Sequence, residues 1–242
     1  MSWLAGTLED VKKIENWFIV DIGFSNSSKS CGVVTVENGN NPIGLNKDGN
    51  IYYGALIQKF QDFAEAKIKI GLVIEAPLSI AFNNTPNKVK NGNPVGRKGV
   101  EQEYSSSEEN ESIQSSRYWY VGAGATVTLA TINFLNQIKV LSEKLPDIYL
   151  FEGLVSFKNP NESKQSHWAD ARDLHFAIQS FKNSTAEAKP SHILNEDQGT
   201  HTELKFIGTY LGINLENGTI PPVIKVSGVN SENPLYSFHV NQ

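Results

Sequence analysis

Residues 68–74, in the segment IKIGLVIEAPLSI, run almost continuously apolar with no polar alternation. A strand with one face in water alternates, so this one is expected to be buried on both faces, in the middle of a sheet covered by helices. Residues 17–24, WFIVDIGF, form a second such run that stops at Gly23 and the polar stretch SNSSKS. Together with the alternation of strands and helices along the chain, these runs point to an α/β layered sheet rather than a sandwich or a helical bundle.

The remaining pattern fills in that architecture. CGVVTVE at 31–37 and IYYG at 51–54 read as short strands separated by the turn signals NGNNP and KDGN, so the first three strands form an antiparallel meander. In 55–67, Leu56, Ile57, Phe60, Phe63 and Ala64 recur at helical spacing. Helices are expected again over about 123–144 and 167–182, with the strand IYLFEGLVSF at 148–157 between them. The C-terminal part is expected to carry a short helix at TELKFIGTYLG and an edge strand at IPPVIKVSG, because paired prolines cannot donate to a central ladder. No internal repeat is present.

Between about 82 and 118 the apolar periodicity disappears. Lys88, Lys90, Arg97 and Lys98 come first, and Glu101, Glu103, Glu108, Glu109 and Glu111 follow. A structureless stretch this long is a functional or mobile insertion in one domain spanning 1–242, with a core over about 17–182 and an extension over about 190–242. The chain has 242 residues, enough for one large domain with a sizeable core.

Composition narrows the chemistry. The single cysteine, Cys31, excludes an internal disulfide framework and a Cys-rich zinc site. No run approaches the roughly 18 apolar residues of a membrane span, and the acids in the N-terminal segment do not suit a signal peptide, so a cytoplasmic chain without a membrane partner is expected. A formal net charge of -5 argues against a surface coated in nucleic-acid contacts but leaves room for an acidic, metal-binding site. The chain lacks a G-x-S-x-G elbow and a GK[ST] phosphate loop. His175, His192, His201 and His239 lack ligand spacing.

Two acids break the apolar strands. Asp21 stands among Ile19, Val20 and Ile22, and Glu75 follows GLVI just before Pro77. A buried carboxylate is costly unless it is paired, hydrogen-bonded or bound to a cation. Strand C-termini are also where open α/β sheets bind ligands, although such acids serve as turn or helix caps too. In SHWADARDLHFA, His167, Asp170 and Asp173 fall at i, i+3 and i+6 on one side of a helix, where the helix dipole also favours acids. Asp21, Glu75 and Asp170 or Asp173 would together offer hard oxygen ligands suited to Mg²⁺ or Mn²⁺. Two such ions could support phosphodiester hydrolysis.

IVDIGFSNSSKSCGVV resembles the opening of the RNase H-like superfamily, in particular RuvC-type resolvases and related predicted nucleases, with Asp21, Gly23, Ser25 and Gly32 in the motif positions. Ile22 stands where resolvases tend to carry Pro. LVIEAPLS is similar to the segment that brings the second acid, Glu75, and Asp170, Ala171 and Asp173 match the last helix. Glu152 in FEGLVSF sits where some members carry a further acid. The resemblance implies a mixed sheet of three antiparallel strands followed by parallel strands, and a metal-dependent nuclease acting on DNA or RNA. Ser25, Lys88, Lys90, Arg97, Lys98, Arg117 and His167 are then expected substrate contacts, with Tyr118, Trp119 and Tyr120 either stacking on bases or anchoring the insertion. Two other readings stay open. One is an inactive RNase H-like subunit with a protein partner, or a homodimer. The other is an actin-like phosphotransferase or ATPase, since D-x-G-x-S and VGAGAT also resemble phosphate loops.

Overall fold

A computed structural model of the chain describes residues 1–23, 30–39, 42–43, 49–65, 67–83, 95–96, 123–141, 145–155, 166–183, 187–190, 202–227 and 234–240. Four α-helices are described: α1 (Leu8–Lys13), α2 (Leu56–Ala64), α3 (Ala123–Val140) and α4 (His167–Lys182). The strands are β1 (Trp3–Ala5), β2 (Trp17–Asp21), β3 (Cys31–Val36), β4 (Asn50–Ile51), β5 (Lys69–Glu75), β6 (Ser79–Asn83), β7 (Val95–Gly96), β8 (Asp147–Val155), β9 (Glu187–Pro190), β10 (Thr202–Phe206), β11 (Val223–Ser227) and β12 (Leu235–Val240).

The main sheet runs β4-β3-β2-β5-β8-β11-β12-β9. Strands β4, β3 and β2 pair antiparallel, while β5, β8 and β11 continue parallel to β2, so the fold is α/β with a mixed sheet. β8 is long enough to carry two partners on one side, β1 along its first half and β11 along its second. The two doubly apolar runs, β2 and β5, lie side by side at the centre, as their lack of alternation requires.

Alternate residues of each central strand feed two separate cores. Phe18, Val20, Leu72 and Ile74 face α2 and α3, packing with Phe60, Phe63 and Phe134. Trp17, Ile19, Val73 and Phe151 face α1 and α4, packing with Val11, Leu174 and Ile178. Three layers result, and every strand residue can be assigned to a face from its parity.

The C-terminal part departs from expectation. TELKFIGTYLG is strand β10 followed by a 3-10 turn at Ile207–Leu211, not a helix, because the β-branched and aromatic residues pair with β6. The IPPVIKVSG segment is not an edge strand. Its ladder begins at Val223, after both prolines, and β11 lies between β8 and β12. The prolines therefore cost the sheet no donor, and the Pro222 carbonyl accepts from the Glu152 N–H at 2.9 Å. The third meander strand contracts to Asn50–Ile51, with a 3-10 turn at Tyr53–Ala55. Among the described residues, no helix is long and apolar enough to cross a membrane.

Candidate functional site

Asp21 and Glu75 end neighbouring parallel strands and are partners in the register. Strand parity puts both on the α4 face, two residues beyond Ile19 and Val73 respectively. Asp21 is buried and Glu75 is partly exposed.

Helix α4 crosses above this pair. Ser166 caps its start by accepting from the Ala169 N–H at 3.3 Å, and the Asn50 side-chain oxygen accepts from the Trp168 N–H at 3.0 Å. A Cβ on Gly32 would lie 2.1 Å from the carbonyl carbon and oxygen of His167, so glycine is what lets the helix start rest on β3. The His167 ring is thereby brought to Asp21, with Nδ1 2.8 Å from Oδ2. Seven residues later, Leu174 lies against Gly153, where a Cβ would sit 2.7 Å from its methyl carbon and 3.2 Å from the Glu75 Cα.

These two anchors fix the middle of the helix. The helix advances roughly 10 Å over seven residues, about the two strand spacings from Asp21 past Glu75 to Gly153. Asp170 shares the buried face with Ala171 and Leu174 and is 3% exposed. Asp173 turns aside. Its Oδ1 accepts from Arg172 Nε at 3.1 Å and Nη2 at 3.0 Å, and its charge acts on Tyr236 of β12, whose phenol is raised mainly by burial. Of the two helix acids, Asp170 is the more deeply buried.

Glu152 does not join them. Its neighbour Phe151 belongs to the α4-side core, so Glu152 projects to the opposite face, where Oε2 accepts from the Leu78 N–H at 3.0 Å and lies 3.4 Å from Ser79 Oγ. It caps the turn that follows β5. Ser25, Lys88, Lys90, Arg97, Lys98, Arg117 and the aromatic run 118–120 lie outside the described residues, as does most of the 82–118 insertion.

The donors suit a hard divalent cation in kind: carboxylate oxygens on two adjacent strand ends and one helix. Each strand acid is nevertheless engaged with protein, Asp21 with His167 and Glu75 Oε1 with the Val155 N–H at 3.3 Å. Among the described residues, no three His, Cys, Asp or Glu side chains are grouped so as to hold a metal.

Cys31 sits beside the site at the start of β3. Its thiol donates to the Gly23 carbonyl at 3.1 Å, and burial pushes it up to about 11, with the Asp21 charge adding to the effect. Sequence reasoning missed Asn50 and Gly153, since neither carries a local signal; the Asn50 contact spans 118 residues of chain. No family model matches the chain, and no curated protein or solved structure is significantly similar to it.

Proposed function

We propose that the chain is a metal-dependent nuclease of RNase H-like fold that hydrolyses phosphodiester bonds of DNA or RNA with Mg²⁺ or Mn²⁺. The observation that carries the reading is the pairing of Asp21 with Glu75 at two central strand ends, on the face that α4 covers. The sheet order adds support: three antiparallel strands, β4-β3-β2, followed by parallel β5 and β8, match the order expected from the resemblance.

In this reading Asp21, Glu75 and Asp170 hold the cation. A bound divalent ion supplies an activated water and stabilises the leaving oxygen. His167, at the solvent-facing rim with its side chain 44% exposed, holds Oδ2 of Asp21 and is placed to hold or release a proton there. The α4 N-terminus adds partial positive charge where a phosphate would approach. Lys88, Lys90, Arg97, Lys98 and Arg117 are candidate phosphate contacts from the insertion.

The test is cleavage of labelled single-stranded and duplex DNA and RNA with Mg²⁺ or Mn²⁺. Activity that disappears on chelation and in Asp21→Asn and Glu75→Gln supports the nuclease. One observation favours a second reading, an inactive RNase H-like subunit: both strand acids are already satisfied by protein groups. Absence of cleavage by the intact protein, with nucleic-acid or protein binding kept in both variants, would establish that reading instead.

A further inference from the structure

The register places one row of residues across four strands, on the face that α4 covers. Glu75 of β5 pairs with Asp21 of β2, Asp21 with Gly32 of β3, and Gly32 with Asn50 of β4. Register partners project to the same face of a sheet, so Asn50 belongs to the row of the two acids, two strand spacings or about 10 Å beyond Asp21. Gly32, between them, has no side chain, and that gap is where α4 begins.

The helix start is seated in the gap through one peptide group. A Cβ on Gly32 would lie 2.1 Å from the carbonyl carbon and oxygen of His167 and from the Trp168 nitrogen, so the peptide between those residues rests on the Gly32 backbone. On one side of the gap its N–H donates to Asn50 Oδ1 at 3.0 Å. On the other side the His167 ring meets Asp21, with Nδ1 2.8 Å from Oδ2. Gly49 serves the same seat, since a Cβ there would lie 2.5 Å from Trp168 Cδ1 and 2.6 Å from the Val33 carbonyl oxygen.

The first turn of α4 therefore has two side-chain caps, and they do different things. Ser166 accepts from the Ala169 N–H at 3.3 Å, which satisfies an end donor wherever the helix lies. Asn50 satisfies another from within the sheet, 118 residues away in the chain, so its bond also sets where the helix start lies.

We infer that Asn50 is a positioning residue of the strand-end site: by holding the His167–Trp168 peptide over Gly32, it sets the contact of His167 with Asp21. Asn50 acts through His167, and its expected effect on cleavage rests on the proposed nuclease, whereas its effect on the contact does not.

The experiment compares Asn50→Ala with Asn50→Asp in the full chain, since aspartate keeps an acceptor oxygen at the same place. Thr7→Ala, which removes the cap of α1, is the control for lost stability alone. Asn50 is partly exposed, so the fold is expected to survive, and circular dichroism checks this. Amide hydrogen exchange reads the helix start, and crystal structures of the variants read the distance from His167 Nδ1 to Asp21 Oδ2. In Asn50→Ala the Trp168 amide is expected to exchange about fivefold faster or more, and the distance to open beyond hydrogen-bond reach. Asn50→Asp and Thr7→Ala are expected to keep both. In cleavage assays Asn50→Ala is expected to lower kcat about tenfold with KM nearly unchanged, and Asn50→Asp to recover most of the loss. An unchanged His167 distance in Asn50→Ala would overturn the proposal, as would equal losses in Asn50→Ala and Thr7→Ala. An intact protein that cleaves nothing removes the nuclease instead, and the exchange and the distance then decide the role of Asn50 by themselves.

Discussion

Asp21 and Glu75 are register partners on adjacent parallel strands and share the face covered by α4, so two carboxylates that are 54 residues apart in the chain are neighbours on one face of the sheet. On α4, which rests on this face through His167 at Asp21 and Leu174 at Gly153, Asp170 is buried while Asp173 is held by Arg172. In the proposed nuclease, Asp170→Asn is therefore expected to lower metal-dependent cleavage about a hundredfold or more, as Asp21→Asn does. Asp173→Asn, which loosens the Arg172 contact, is expected to change it less than about threefold. Steady-state rates at saturating Mg²⁺ decide between them, and the reverse ranking would remove Asp170 from the site.

The closest backbone approach in the site is that of the α4 start to Gly32. A methyl group there would meet the His167 carbonyl at 2.1 Å, and backbone cannot step aside as a flexible side chain does. Gly32→Ala is expected to cost about 1–3 kcal/mol in urea unfolding as the helix is pushed off β3. The same shift would withdraw His167 from Asp21, so activity is expected to fall further than the stability loss explains. Unchanged unfolding with unchanged activity would show that the helix start is not held as described.

Much of this arrangement was legible in the chain. The largely apolar runs at 17–24 and 68–74 pointed to two buried strands, and an acid ending each of them was visible as a cost needing compensation. The 167–182 helix was bounded correctly because Ser166 caps it and an acid follows in the first turn. What stayed hidden depends on pairing between distant segments. Nothing local tells that β11 enters the sheet beside β8, or that Glu152 faces away from Asp21. That last distinction needs the parity of β8 relative to β5, which only the register supplies. The i, i+3, i+6 spacing placed Asp170 and Asp173 on one side of the helix, but it could not tell that Asp170 is buried while Asp173 is held by Arg172.

Glu152 is a structural acid, and it is expected to behave as one. Its Oε2 satisfies the buried Leu78 N–H at the turn after β5, so Glu152→Ala strands that donor and is expected to cost about 1–3 kcal/mol. Glu152→Gln keeps an acceptor at the same place and is expected to recover most of the loss. Neither is expected to alter the metal dependence of activity. A shift in that dependence at constant stability would return Glu152 to the site.

Cys31 is expected to be inert in the folded protein. Its thiol is held neutral by burial, with a pKa of about 11, and only the thiolate reacts with aromatic disulfide reagents. At pH 8 roughly one thiol in a thousand is ionised at any moment, before access is considered. Labelling is expected to follow global unfolding and to be complete in denaturant. Fast labelling of the native protein would mean that the start of β3 opens locally.

His175 gives the fold a pH dependence of predictable sign. It is buried in α4, Nδ1 has no hydrogen-bond partner, and burial followed by the Lys182 charge depresses its pKa to about 4. The unfolded chain takes up this proton near pH 6.5, while the folded chain resists it down to about 4. Between those values the unfolded state binds more protons, so stability falls as pH falls, by up to about 3 kcal/mol in total. Below about pH 4 this contribution levels off, because both states are protonated. Urea unfolding of the intact protein from pH 7.5 to 4.5 reads the slope, and His175→Leu, which keeps an apolar group at the site, is expected to flatten it. An equally steep slope in that variant would assign the acid sensitivity to other groups.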